Sequence, residues 1–157
     1  MTTLSVLERS AVLGMAAGMR SMAAPAALSR HLATDPTVPH GIVDDLLSRP
    51  LAPRLLTVAS AAEHVADKLP ITPPRIDPAP LAGRIASGAL CGFVRARRAG
   101  ESEVTGALVG GLAAAVATFA AYHLRRALTR GAGIPDLPVA LVEDVAAVLF
   151  AETGARG

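Results

Sequence analysis

From Gly106 to Tyr122 the chain carries no charged residue, and Thr118 is its one aliphatic hydroxyl. Adding Val104, Thr105, His123 and Leu124 brings this run to the roughly 20 residues that a helix rising 1.5 Å per residue needs to cross a bilayer. A soluble Ala-rich helical protein is a further reading, kept open by the shortness of the other apolar segments. Hydrophobic residues make up 52% of the 157 and charged residues 18%, below the ~25% of ordinary soluble domains. Aromatic residues are 3%, so the apolar content is mostly Ala, Gly, Leu and Val. Small residues of this kind let helix backbones approach closely in lipid. The expected fold is all-α: a single polytopic helical membrane domain over residues 1–157, with about five transmembrane or partly spanning helices.

The five apolar segments are residues 4–28, 51–67, 81–94, 104–124 and 137–151. Arg20 and Pro25 interrupt the first. The polar loop 33–53 has room for a short interfacial helix at 42–47. Prolines 70, 73, 74, 78 and 80 predict a stiff, non-helical linker across residues 69–80. Gly131 and Gly133 end the fourth segment, and Asp136 is a candidate cap for the fifth. No charged region precedes the first apolar stretch, so the mature helices themselves are expected to direct insertion.

Several function classes fall away. The net charge is only +2 and the arginines are scattered, which is no footprint for a nucleic-acid partner. Cys91 is the only cysteine, so one chain can form neither a disulfide nor a thiolate metal cluster. No Walker loop, His-Glu-x-x-His or Gly-x-Ser-x-Gly occurs, so an enzyme of familiar mechanism is not expected, and no cofactor is implied. Whether a metal binds is left open.

Gly14/Gly18, Gly88/Gly92 and Gly106/Gly110 each form a Gly-x-x-x-Gly pair, which puts both glycines on one helix face for close packing. Laying residues 14–32 over 106–124 aligns Gly14, Gly18, Ala23, His31 and Leu32 with Gly106, Gly110, Ala115, His123 and Leu124. Glu63 and Glu143 then match in a shared Glu-x-Val-Ala. Residues 4–68 and 104–152 are thus candidate halves of an inverted repeat around a central helix at 81–98, an arrangement found in secondary transporters. With five spans the basic residues divide evenly between the two sides, and the positive-inside rule gives no orientation.

Five ionisable residues fall within apolar segments: Arg20, Glu63, Asp67, Glu143 and Asp144. A charge at bilayer depth costs a few kcal/mol, so each is a candidate for a substrate or ion path. In that reading Glu63 and Glu143 face each other, with Arg20 as counter-charge. The alternative places Glu63, Asp67 and Lys68 at a helix end reaching water, with Arg20 holding carbonyls freed by Pro25. His31 and His123 read as polar end-anchors. Arg95, Arg97, Arg98, Arg125 and Arg126 read as headgroup anchors.

Gly18-Met19-Arg20-Ser21-Met22, Ala66-Asp67-Lys68-Leu69-Pro70, Ser87-Gly88-Ala89, Tyr122-His123-Leu124-Arg125-Arg126 and Glu143-Asp144 also carry a family likeness. On these runs the chain resembles the small bacterial membrane proteins grouped as domain of unknown function 4126. The resemblance implies a multi-pass protein of the bacterial inner membrane, without an assigned activity or catalytic residues. The leading expectation is a small transporter or channel-like homo-oligomer that moves a small ion or solute. The alternative is a non-catalytic membrane scaffold or lipid-interacting subunit. The lipid bilayer is a partner in both.

Overall fold

The computed structural model describes residues 4–35, 41–66 and 75–156, which are helical throughout apart from short connections. The elements are α1 (Val6–Met19), α2 (Ala23–Thr34), α3 (Ile42–Ser48), α4 (Ala52–Ala66), α5 (Pro78–Arg98), α6 (Glu103–Arg126) and α7 (Asp136–Ala155). A π-helical turn, Ala127–Gly131, extends α6. Among the described residues there is no strand.

Local chemistry explains where these helices start. Ser5 and Glu8 form a reciprocal capping box on α1, and the Ser102 hydroxyl accepts the Thr105 N–H at the start of α6. Pro78 and Pro80 lie in the first turn of α5, after Asp77. The first turn is where the missing proline N–H has no helical partner to lose. The proline-rich linker expected over 69–80 therefore gives way to helix at Pro78, while residues 69–74 lie outside the described residues.

The first apolar segment does not run straight. Arg20 is extended (φ −142°, ψ 113°) and ends α1; α2 begins at Ala23 with Pro25 in its first turn. The two helices are the arms of a hairpin. Near the start of α1, Arg9 and Leu13 lie against Gly154 at the end of α7. Near the end of α2, Arg30 and His31 reach Glu152, at the same end of α7. We call this the upper end, and the bend at residues 20–22 lies inside the bundle below it. In the proposed repeat, the segment that turns back here is aligned with one that runs on as continuous α6.

Around the hairpin, α1, α5 and α6 form the tightest block. Gly14 and Gly18 face Gly110 and Ala114 of α6, which runs parallel to α1. Gly88 and Gly92 face Gly110 and Gly106, with α5 antiparallel to α6. A methyl group at any of these six glycines would overlap a neighbouring carbonyl oxygen or Cβ. Cys91 is fully buried in this block.

On the other side, α4 runs down from the upper end along α2, from Thr57 opposite Arg30 to Glu63 at the bend. Short α3 is tied to the upper end by Arg98, whose Nε donates to both carboxylate oxygens of Asp44 at 2.8 and 3.0 Å. Arg98 also reaches Asp35 at 2.8 Å. It is therefore an internal clamp rather than a headgroup anchor. Arg97 pairs with Glu103 at 3.2 Å and covers the Phe93 ring.

Polarity is distributed inside out. Arg20 (1% exposed), Asp44, Ser10, Ser29 and Thr118 are buried, while Val104, Leu108, Leu112 (66%) and Val116 (69%) form an exposed stripe on α6. Leu141, Val145 and Leu149 continue an apolar surface on α7. By length and composition, one described helix, Glu103–Gly131, can cross a membrane.

Candidate functional site

The bend at Arg20–Met22 frees backbone groups that a continuous helix would satisfy, and buried polar groups without partners are costly. Side chains from three other helices supply those partners. From α5, Arg84 donates through one nitrogen to the carbonyls of Gly18 at 2.8 Å and Met19 at 2.6 Å, the open end of α1. From α6, Thr118 donates to Gly18 at 3.0 Å as well as to its own helix. The Ser87 hydroxyl donates to the carbonyl of Ser21.

The opposite end of the break is held by Glu63 on α4. Its carboxylate accepts from the Ser21 N–H and hydroxyl, both at 2.8 Å, and from the Met22 N–H at 3.0 Å. An anion is thus placed at the N-terminus of α2 and a cation at the C-terminus of α1, as the helix dipoles favour. Glu63 and Arg84 approach to 3.5 Å. A second pair lies at the bend, where Arg20 meets Asp144 of α7, with its Nε 2.7 Å and its terminal nitrogen 2.5 Å from Oδ1.

Arg20, Glu63 and Asp144 are thus placed around one bend. Glu143 belongs to a second group toward the lower end. It is buried, accepts from Arg75, and lies 3.7 Å from Arg125. Arg125 in turn binds Asp136 through two bonds at 2.8 and 2.6 Å. Glu63 and Glu143 therefore take different partners rather than sharing a cation with Arg20 between them. Asp67 and Lys68 lie outside the described residues. Among the described residues, no three His, Cys, Asp or Glu side chains gather as metal ligands would.

The sequence reading passed over Arg84, Ser21, Ser87, Thr118 and Arg75 as members of these groups. Arg84 lies inside α5, which begins at Pro78 rather than at residue 81.

Two clefts adjoin the charged groups. One, of about 380 Å³, lies between α2, α4 and α7 and runs from Arg30 past Thr57 and Ser60 to Ala23, beside the bend. The other, of about 570 Å³, is apolar, lies between α1, α6 and α7, and has Arg125 and Glu143 in its wall.

The family model described as domain of unknown function (DUF4126) matches residues 9–153. The chain belongs to that family. The match spans the hairpin, both charged groups and both clefts, so these are features of this family member's domain rather than of an appended segment. No curated protein and no solved structure matches the chain.

Proposed function

We propose that this protein is a multi-pass, non-enzymatic protein of the bacterial inner membrane in which the hairpin bend is a polar station on a path for a small ion or solute. The observation that carries the reading is the placing of two ion pairs, Glu63–Arg84 and Arg20–Asp144, around a break in the backbone, in a molecule whose outer surface on α6 and α7 is apolar. Non-helical backbone at membrane depth is tolerated where protein buries it or where it lines a water-filled cavity. Ionisable groups at that depth mark paths and relays. The cleft from Arg30 to Ala23 gives such a path a direction, from the upper end to the bend. The stripe from Val104 to Val116 is left for lipid or for a second copy in a homo-oligomer.

The test has two stages. The chain should stay with membranes through carbonate extraction, and release into the supernatant would overturn the membrane reading. Cys91 is buried, so Cys91→Ala gives a cysteine-free background in which Ser21→Cys reports on the bend. A water-soluble maleimide should label Ser21→Cys in proteoliposomes from the upper side. A cysteine that stays inert in vesicles, yet labels after unfolding, would overturn the path.

A second reading, a lipid-interacting scaffold subunit, is favoured by the pairing of Glu63, Glu143 and Asp144 with arginines. Such pairing suits a fixed structure as well as a relay.

A further inference from the structure

We infer that the cleft between α1, α6 and α7 holds one acyl chain of an anionic phospholipid, with its phosphate at the lower end beside Arg125. The inference rests on the membrane part of the reading above and is independent of the path through the bend.

The cleft has the right shape. Helices α6 and α7 scarcely touch, and Ala117, Ala121 and Ala146 keep their facing walls low. Met15 and Met19 of α1 form the floor, and methionine adapts to a flexible apolar guest. The volume of about 570 Å³ lies within the usual range for small-molecule sites. Along α7 the wall extends from Pro138 to Phe150, about 18 Å at 1.5 Å per residue. That slightly exceeds the ~15 Å half-thickness of a bilayer's hydrocarbon core.

Charge decides the headgroup. Only the lower end of the wall is polar, at Arg125 and Glu143. Glu143 is engaged by Arg75 and Arg125, and Asp136 by Arg125, so these four charges balance one another and the excess at this end comes from the arginines that follow. Arg126 and Arg130, next in the chain, are exposed at the same end. The basic excess there complements a phosphate with no compensating ammonium, and basic residues flanking a membrane helix attract anionic lipid. A zwitterionic headgroup would bring an ammonium into that excess.

Native mass spectrometry of the detergent-purified full chain, titrated with phosphatidylglycerol or phosphatidylethanolamine, tests this. The wild type should retain one phosphatidylglycerol in preference to phosphatidylethanolamine. Filling the cleft from either wall, by Ala121→Phe or Ala146→Phe, should weaken retention on the order of tenfold. Arg125→Gln should weaken it about fivefold. Leu112→Phe, on the outer stripe of α6, should change nothing. Unchanged retention in both cleft-filling variants, or equal retention of the two lipids by the wild type, would overturn the site. A chain that needs detergent yet keeps no lipid overturns the site alone. One that stays monodisperse without detergent overturns the membrane reading and the site with it.

Discussion

Glu63 and Ser21, 42 positions apart, are joined twice through a single carboxylate oxygen: the Ser21 backbone N–H and its hydroxyl each donate to Oε1 at 2.8 Å. One side chain from α4 thus performs the capping that a residue just ahead of α2 would ordinarily perform, and Met22 there offers no side-chain cap. The turn is consequently held by tertiary contacts rather than by its own residues.

Glu63→Ala should therefore be severe. It strands the N–H groups of Ser21 and Met22 and removes the carboxylate facing Arg84, a loss of about 3–5 kcal/mol in line with breaking a buried pair. Glu63→Gln keeps an acceptor for Ser21 and should cost about 1–2 kcal/mol, as one lost charge-assisted bond would. Thermal unfolding in mild detergent separates the two, and equal melting temperatures would refute the capping role.

Arg20 and Asp144 form a pair in which the arginine is buried and the aspartate partly so, with side chains 2% and 15% exposed. Removing either partner alone, by Arg20→Met or Asp144→Leu, should destabilise by about 3–5 kcal/mol, while the double variant should recover much of that loss. Additive losses in the cycle would show that the two residues do not depend on each other.

The glycine contacts predict a contrast within one helix type. Gly110→Ala should cost about 1–3 kcal/mol or more, because the new methyl meets the Gly88 carbonyl and neither backbone can yield easily. Gly83→Ala in α5 meets nothing within 4 Å and should gain up to ~1 kcal/mol from helix propensity. Urea unfolding in detergent gives both signs.

Orientation becomes predictable once the hairpin is recognised. Because α1 and α2 enter and leave at the upper end, Arg9, Arg30, Arg49, Arg54, Arg95, Arg97, Arg98 and Arg156 gather there. Arg75, Arg125, Arg126 and Arg130 lie at the lower end, and Arg20 and Arg84 lie inside. The even division obtained with five spans disappears, and under the membrane reading proposed above the positive-inside rule predicts a cytoplasmic upper end. A C-terminal green fluorescent protein fusion should fluoresce, and alkaline phosphatase inserted at Ala132 should be active outside. The reverse pattern would refute this topology.

Much of the architecture was legible along the chain. The short helix expected at 42–47 is α3 at Ile42–Ser48, and the fourth segment, 104–124, is α6 at Glu103–Arg126. Hydrophobic run length and capping residues are local signals, and they located these elements closely. The bend was not legible in the same way. Alanine and methionine flank Arg20 on both sides, so periodicity passes through it, and the groups that stop the helix there, Glu63 and Arg84, are remote in sequence. One local signal was available: Pro25 belongs in a first turn and so marks the start of a new helix rather than a kink in an old one. Arg20, Glu63 and Asp144 were picked out by their cost in an apolar setting. Ser21, which binds Glu63, and Ser87 and Thr118, which bind carbonyls at the bend, were not, because a hydroxyl carries no such warning.

The backbone-to-backbone contact of α1, α5 and α6 has a mechanical consequence. Where glycine carbonyls meet glycine carbons, no side chain can change rotamer to absorb a shift, so these three helices must move as one body. Helix α4 is fastened to that body differently, through Glu63 at the bend, whereas α7 joins the close packing where Gly154 meets Arg9 and Leu13 of α1. Electrostatic ties of that kind can lengthen, exchange partners or admit water without a steric clash. Any working stroke in this protein would accordingly be a displacement of α4 against those stationary helices, hinged where the Glu63 carboxylate meets the bend.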